Sequence, residues 1–142
     1  MSKIMTLNML FEALHDGRVM LDTRFGVSSK AKAMGGSTMF LDETDRPTVE
    51  DLIKGIIVQS GNDASVALAE HVAGSEDAFA NLMNEHARRL GMNETHFVNA
   101  TGLPDPEHYT TPRDIALVTQ AMIREFPERY KMYSIREFTF ND

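Results

Sequence analysis

Apolar positions along the chain fall mostly at helical spacing. Leu7, Leu10, Phe11 and Leu14 share one face, and the run ends at Asp16-Gly17, a common way to close a helix. The chain therefore opens inside a helix. From Val19 to Val49 the period is lost: Val27 to Met34 is irregular and Gly35-Gly36 breaks it. Thr38-Met39-Phe40-Leu41 then reads as a short strand before the polar turn from Asp42 to Pro47. Thr48-Val49-Glu50-Asp51 has the form of a helix cap with acids in the first turn, and Leu52, Ile53, Ile56 and Ile57 line one face of the roughly three turns that follow.

A second apolar helix carries Ala64, Ala67, Leu68 and Val72 and closes at Gly74. A third, capped by Ser75, buries Phe79, Leu82, Met83, Ala87 and Leu90 and ends at Gly91. Residues 92–109 hold Gly102-Leu103-Pro104-Asp105-Pro106 and predict an ordered loop anchored by Phe97 and Leu103. Thr111-Pro112-Arg113-Asp114 starts a further helix with Ile115, Val118 and Met122, stopped by Phe126-Pro127. Glu137-Phe138-Thr139-Phe140 alternates like a strand with no obvious partner. The pattern predicts a single unit over 1–142, mainly α with a few short strands.

Between the helix that carries Leu52 to Ile57 and the one that carries Ala64 to Val72, the apolar run "IIVQSGNDASVALAEH" is interrupted by Ser60-Gly61-Asn62-Asp63. Two readings follow. Ser60 or Asn62 caps the next helix while Gly61 supplies an unusual backbone angle, or the two side chains face a ligand at the mouth of two buried helices. Taken alone, so common a pattern favours the cap.

Composition narrows the classes. At 142 residues the chain lies within the usual range of about 100–200 for one domain. A net charge of −7 disfavours nucleic acid or anionic lipid as a partner. There is no cysteine, so disulfides and thiolate metal sites are excluded. No apolar stretch approaches the length of a membrane helix, and residues 1–20 have no signal-peptide pattern. The five histidines, His15, His71, His86, His96 and His108, lack metal-ligand spacing and are assigned surface or capping roles. Asp42, Glu43 and Asp45 lack the spacing of a calcium loop, so no metal or cofactor is expected. The ten methionines read as core gap-fillers. Asn93-Glu94-Thr95 matches a glycosylation acceptor, of meaning only in a host that glycosylates exported proteins.

Lys3 shifts the balance on Ser60 and Asn62. A lysine in the first turn opposes the helix dipole unless something uses its charge. In Ser-x-x-Lys sites the serine lies one turn before the lysine, whose amine takes the hydroxyl proton as the serine attacks a carbonyl. Here that serine would immediately precede Met1. Ser2 is a poor substitute, because helix neighbours diverge by about 100°. Ser29-Lys30-Ala31-Lys32 matches formally without opening a persuasive helix.

With Lys3-Ile4-Met5-Thr6 and Ser60-Gly61-Asn62-Asp63-Ala64, the segments "GSTMFL", "LMNEHARRLGM", "THFVNATGL", "YTTPRDIAL" and "EFTFN" make the chain resemble, end to end, the serine-type D-alanyl-D-alanine carboxypeptidases. These are the low-molecular-mass penicillin-binding proteins. The resemblance implies the helical region of a β-lactamase/transpeptidase-like fold with its central sheet largely outside the chain. It implies Lys3 as general base, Ser60 as proton-relay serine and Asn62 as ligand of the substrate's amide carbonyl, with Gly61 structural. It also implies a peptidoglycan peptide ending in D-Ala-D-Ala as substrate, β-lactams as covalent inhibitors of the full-length parent, and a periplasmic or cell-envelope location. The nucleophile would precede Met1 and a Lys-Thr-Gly strand would follow Asp142, so residues 1–142 alone are expected to be inactive. Leu7, Leu10, Ile53, Ile57 and Phe140 are expected to lack part of their neighbours and to be covered by self-association or rearrangement. Alternatives are a non-catalytic module that binds cell-wall peptide and a structural or self-assembling truncation product.

Overall fold

Local capping chemistry sets the helix starts in the computed structural model, which describes residues 2–140. Thr48 and Asp51 close a reciprocal capping box, Thr48 Oγ1 accepting the Asp51 N–H at 3.1 Å and Asp51 Oδ2 the Thr48 N–H at 3.0 Å. The helix they open is α3, Val49–Gln59, preceded by α1, Ser2–His15, and the single-turn α2, Ser29–Lys32. Next come α4, Asn62–Ala73, and α5, Glu76–Arg89, the latter capped by Ser75 Oγ on the Ala78 N–H. α6, Pro112–Glu125, starts with Thr111 as cap and proline in its first turn. The short α7, Pro127–Tyr130, and a 3-10 turn, Lys131–Ser134, follow.

α4 is the hub. Every residue from Asn62 to Ala69 is buried, and the alanines at 64, 67 and 69 let α1, α3 and α5 approach closely. Two apolar clusters result. Leu7, Leu10, Phe11, Leu52, Ile53, Leu68 and Met122 form one between α1, α3, α4 and α6. Met5, Phe79, Met83, Met92, Phe97 and Val118 form the other, where α5 and the 92–109 loop meet α1 and α6.

Neither expected strand forms. The 38–41 segment is irregular, broken by Phe40 in the left-handed region at φ 58°, and its partner is a carboxylate: Asp63 accepts the N–H groups of Met39 at 3.0 Å and Leu41 at 2.9 Å, and also that of Ala64 at 2.9 Å. Residues 137–140 are irregular, with Phe138 and Phe140 half-buried against the first cluster. Among the described residues strand-like pairing is limited to two isolated antiparallel bridges, Arg24 with Thr48 and His96 with Tyr109. Ser29–Lys32 is helical after all, because Ser28 Oγ caps the Ala31 N–H at 3.0 Å; one turn is too short to show a period.

Leu7, Leu10 and Ile53 are fully buried within one chain, contrary to expectation, whereas Ile57 and Phe140 remain half-buried. The cluster is closed by partly buried residues from several segments, among them Ile4, Val19, Leu21 and Phe25 and, from the C-terminal segment, Met132, Tyr133, Phe138 and Phe140. Gly55 on α3 packs against Met39, into whose sulfur a Cβ would run, so the absent side chain is what lets the 37–41 segment lie down on α3.

Two predictions follow from this packing. Asp63→Asn replaces an acceptor by a donor facing backbone N–H groups, and should cost about 1–3 kcal/mol, with amide exchange at Met39 and Leu41 accelerating first. Unchanged protection at both would contradict the clamp. Burial holds the imidazoles of His71, His86 and His108 below the ordinary 6.5. The unfolded chain therefore takes up protons first as pH falls below 6.5, and stability should decline from there until the folded pKa values are passed. Urea midpoints measured between pH 7 and 5 check this, and a midpoint that rises on acidification would contradict it.

Candidate functional site

The Ser60-Gly61-Asn62-Asp63 break is not a side-chain cap. Gly61 is the N-cap of α4 and contributes no side chain, while Ser65 Oγ back-bonds to the Gly61 carbonyl at 3.0 Å. Asn62 is turned elsewhere. Its backbone N–H reaches the Ser37 carbonyl at 2.8 Å and its Nδ2 donates to the Gly35 carbonyl at 2.9 Å. Its Oδ1 accepts from Lys3 Nζ at 2.8 Å. An ammonium only donates, so this contact requires the amide oxygen to face Lys3. Gly36, at φ +71°, is needed where the 35–37 turn crosses Asn62, because a Cβ there would lie 2.8 Å from Nδ2.

Lys3 stands in the first turn of α1, which contains no acid. Its second acceptor is the Thr101 carbonyl at 2.7 Å. Burial lowers its pKa from the ordinary 10.5, since neither acceptor is charged. The unfavourable placement at the dipole's positive end thus has a structural use.

Ser60 closes α3 in the left-handed region, at φ 52° and ψ 42°, and is exposed. Holding a non-glycine residue there costs about 1–3 kcal/mol. The turn is fastened by the Gly61 N–H on the Gly55 carbonyl at 3.1 Å. Ser60 and Lys3 line one cavity of about 270 Å³ with Ile4, Leu7, Ile56, Ile57 and Tyr133. Lys3, Ser60 and Asn62 are therefore brought together from α1, the end of α3 and the start of α4. The formal match at Ser29–Lys32 is not part of this group: Lys32 pairs with Asp42 at 3.1 Å and Lys30 with Glu76 at 3.0 Å.

The 96–109 loop completes the site, and its part in it is not visible in the sequence. Asn84 clasps Phe97 at both its N–H, 2.7 Å, and its carbonyl, 2.8 Å. Glu76 accepts the Ala100 N–H at 3.1 Å, and the Ala100 carbonyl takes the Thr6 hydroxyl at 2.7 Å. These bonds set the position of the Thr101 carbonyl. His108, assigned above to a surface or capping role, is half-buried with Nε2 at 2.6 Å from Ser2 Oγ. Asp114, read from sequence only as a first-turn acid, accepts the Glu94 N–H at 2.9 Å and the Thr95 hydroxyl at 2.7 Å, fixing the loop's entry. Backbone carbonyls and long-range side-chain pairs have no sequence signature. The asparagines and acids involved are at least the residue types that bond backbone groups in loops.

Comparison with known proteins identifies the family and the framework. The family model for D-alanyl-D-alanine carboxypeptidase matches residues 1–142. The chain is 42% identical over 147 aligned positions to the D-alanyl-D-alanine carboxypeptidase DacC of Escherichia coli, covering 99% of this chain and 37% of that protein. The structure superposes on penicillin binding protein 5 from Haemophilus influenzae with a TM-score of 0.94 at 39% identity, over 99% of this chain and 42% of that one. It also superposes on the cefotaxime-bound form of penicillin-binding protein D2 from Listeria monocytogenes, with a TM-score of 0.84 at 26% identity, over 99% and 57%. The chain thus spans 37% of the length of the curated relative and supplies the helical part of the fold. A match along the whole of residues 1–142, in sequence and in helical framework, makes this chain a member of the D-alanyl-D-alanine carboxypeptidase family.

Proposed function

We propose that residues 1–142 form the helical half of a serine D-alanyl-D-alanine carboxypeptidase domain and carry the proton-handling part of its active site. The observation that carries this reading is the Lys3 ammonium on Asn62 Oδ1, with Ser60 in the same cavity. Lys3 is the general base. Its lowered pKa raises the fraction of neutral amine near neutral pH, and its two uncharged acceptors hold it in place without neutralising it. The nucleophilic serine would sit one turn ahead, immediately before Met1, and a Lys-Thr-Gly strand beyond Asp142 would form the opposite wall.

In this scheme Lys3 Nζ takes the serine hydroxyl proton as the oxygen attacks the carbonyl of the penultimate D-alanine. The C–N bond then breaks, and the proton passes through Ser60 to the departing D-alanine amine. Water hydrolyses the resulting acyl-enzyme and returns the starting state. Asn62 has a direct role as well. One of its two amide hydrogens is held by the Gly35 carbonyl, which leaves the other for a substrate carbonyl. The substrate is a peptidoglycan peptide ending in D-Ala-D-Ala, β-lactams acylate the same serine, and the parent protein works in the periplasm or cell envelope. Among the described residues no helix is long and apolar enough to cross a membrane.

Intact mass after incubation with a penicillin tests the scheme. Residues 1–142 alone should gain no adduct. A longer protein that restores a serine before Met1 and a Lys-Thr-Gly strand after Asp142 should gain one. In that protein Lys3→Ala should slow acylation by a factor on the order of 10²–10⁴. An adduct on residues 1–142, or undiminished acylation in Lys3→Ala, would contradict the assignment.

A further inference from the structure

His108 joins two parts of the site that are far apart in sequence. Its Nδ1 accepts the Val98 N–H at 3.1 Å, and its Nε2 lies 2.6 Å from the Ser2 hydroxyl oxygen, 106 residues away. A backbone N–H can only donate, so Nδ1 must present its lone pair. The proton of the neutral ring is then on Nε2, and Ser2 Oγ is the acceptor. This tautomer excludes a serine–histidine nucleophile pair, because Nε2 is already protonated and cannot take the Ser2 proton.

The surroundings fix the same arrangement. The ring meets Phe97 edge-on with centroids 5.6 Å apart. Ser2 is buried beneath Gly102, at φ +83°, where a Cβ would come within 3.1 Å of the Ser2 Cβ. Ser2 adjoins Lys3, and Val98 lies three residues before Thr101, whose carbonyl holds Lys3.

We infer that His108 is a positioning residue: as a neutral, Nε2-protonated imidazole it ties the first turn of α1 to the 96–109 loop and so aims Lys3 at Asn62 and Thr101. The inference rests on the reading of Lys3 as general base. It also makes that geometry sensitive to acid. An imidazolium carries hydrogen on both nitrogens, so its Nδ1–H would face the Val98 N–H and the bridge would open. Two titratable groups of its own loop act on the ring: Asp105 favours the cation and His96 opposes it. Burial is the largest influence and favours the neutral form.

The test is NMR on the folded chain, reading the His108 tautomer from two-bond proton–nitrogen couplings and the Lys3 pKa from its Nζ resonance. Wild-type protein should show the Nε2–H tautomer, a Lys3 pKa below 10.5 and a second Lys3 shift as His108 titrates in acid. His108→Gln offers a carbonyl to Val98 and an N–H to Ser2 but does not titrate. It should keep the Lys3 pKa and abolish the acid step. His108→Phe fills the space without either bond, and Lys3 should return most of the way to its ordinary pKa.

An Nδ1–H tautomer in the wild type, or an acid step that persists in His108→Gln, overturns the inference even if His108→Phe fails to fold. An unshifted Lys3 in a folded His108→Phe overturns it too. A wild-type Lys3 already at 10.5 would instead remove the base assignment, and the His108–Ser2–Val98 bridge would still be decided by the tautomer.

Discussion

A half-buried ammonium group must have acceptors, and the way Lys3 finds them organises the rest of the site. Among the described residues it pairs with no carboxylate. Lys3 takes the side-chain oxygen of Asn62, 59 residues away, and the carbonyl of Thr101, 98 residues away, so one side chain joins α1, the start of α4 and the 96–109 loop. Each further feature follows from satisfying those partners. With its oxygen committed to Lys3, the Asn62 amide must turn its nitrogen toward the Gly35 carbonyl, and only a glycine at 36 lets the turn come that close. Uncharged acceptors also leave the lysine pKa lowered, the direction a base near neutral pH requires.

The precision of this arrangement comes from rigid helices beneath it. α4 is buried from Asn62 to Ala69, so Asn62 stands on an element that cannot shift without disturbing both apolar clusters. Asp63, one residue on, fixes the 38–41 segment through backbone N–H groups and so keeps the 35–37 turn over Asn62. Ser60 is held in a left-handed conformation between two helices, where strain that a flexible loop would relax is retained by the packing on either side. The polar site and the apolar core are thus one construction.

What the sequence disclosed and what it hid divide along the range of the interactions. The helices at 49–59, 76–89 and 112–125 were legible because caps such as Thr48, Ser75 and Thr111 act within three residues and the apolar period repeats every turn. The strand expected at 38–41 was misread because Met-Phe-Leu has strand composition, whereas its hydrogen-bond partner is a side chain on α4 rather than a neighbouring strand. Lys3, Ser60 and Asn62 could be nominated, although Ser60-Gly61-Asn62 alone looked like a cap and gained meaning only beside Lys3 and the family resemblance. The Thr101 carbonyl, the Asp63 clamp and the His108–Ser2 contact had no local pattern, since each depends on packing across the molecule.

The most direct test of the Lys3–Asn62 contact is a double-mutant cycle on folding stability with Lys3→Met, Asn62→Ala and the pair. Lys3→Met keeps an unbranched apolar stem in the cavity that Lys3 lines with Ile4 and Leu7 while removing the ammonium. If the two groups bond as described, the cycle should return a coupling of about 0.5–3 kcal/mol. Effects that add to within about 0.3–0.5 kcal/mol would mean that the two side chains do not interact, and would contradict the contact on which the site is built.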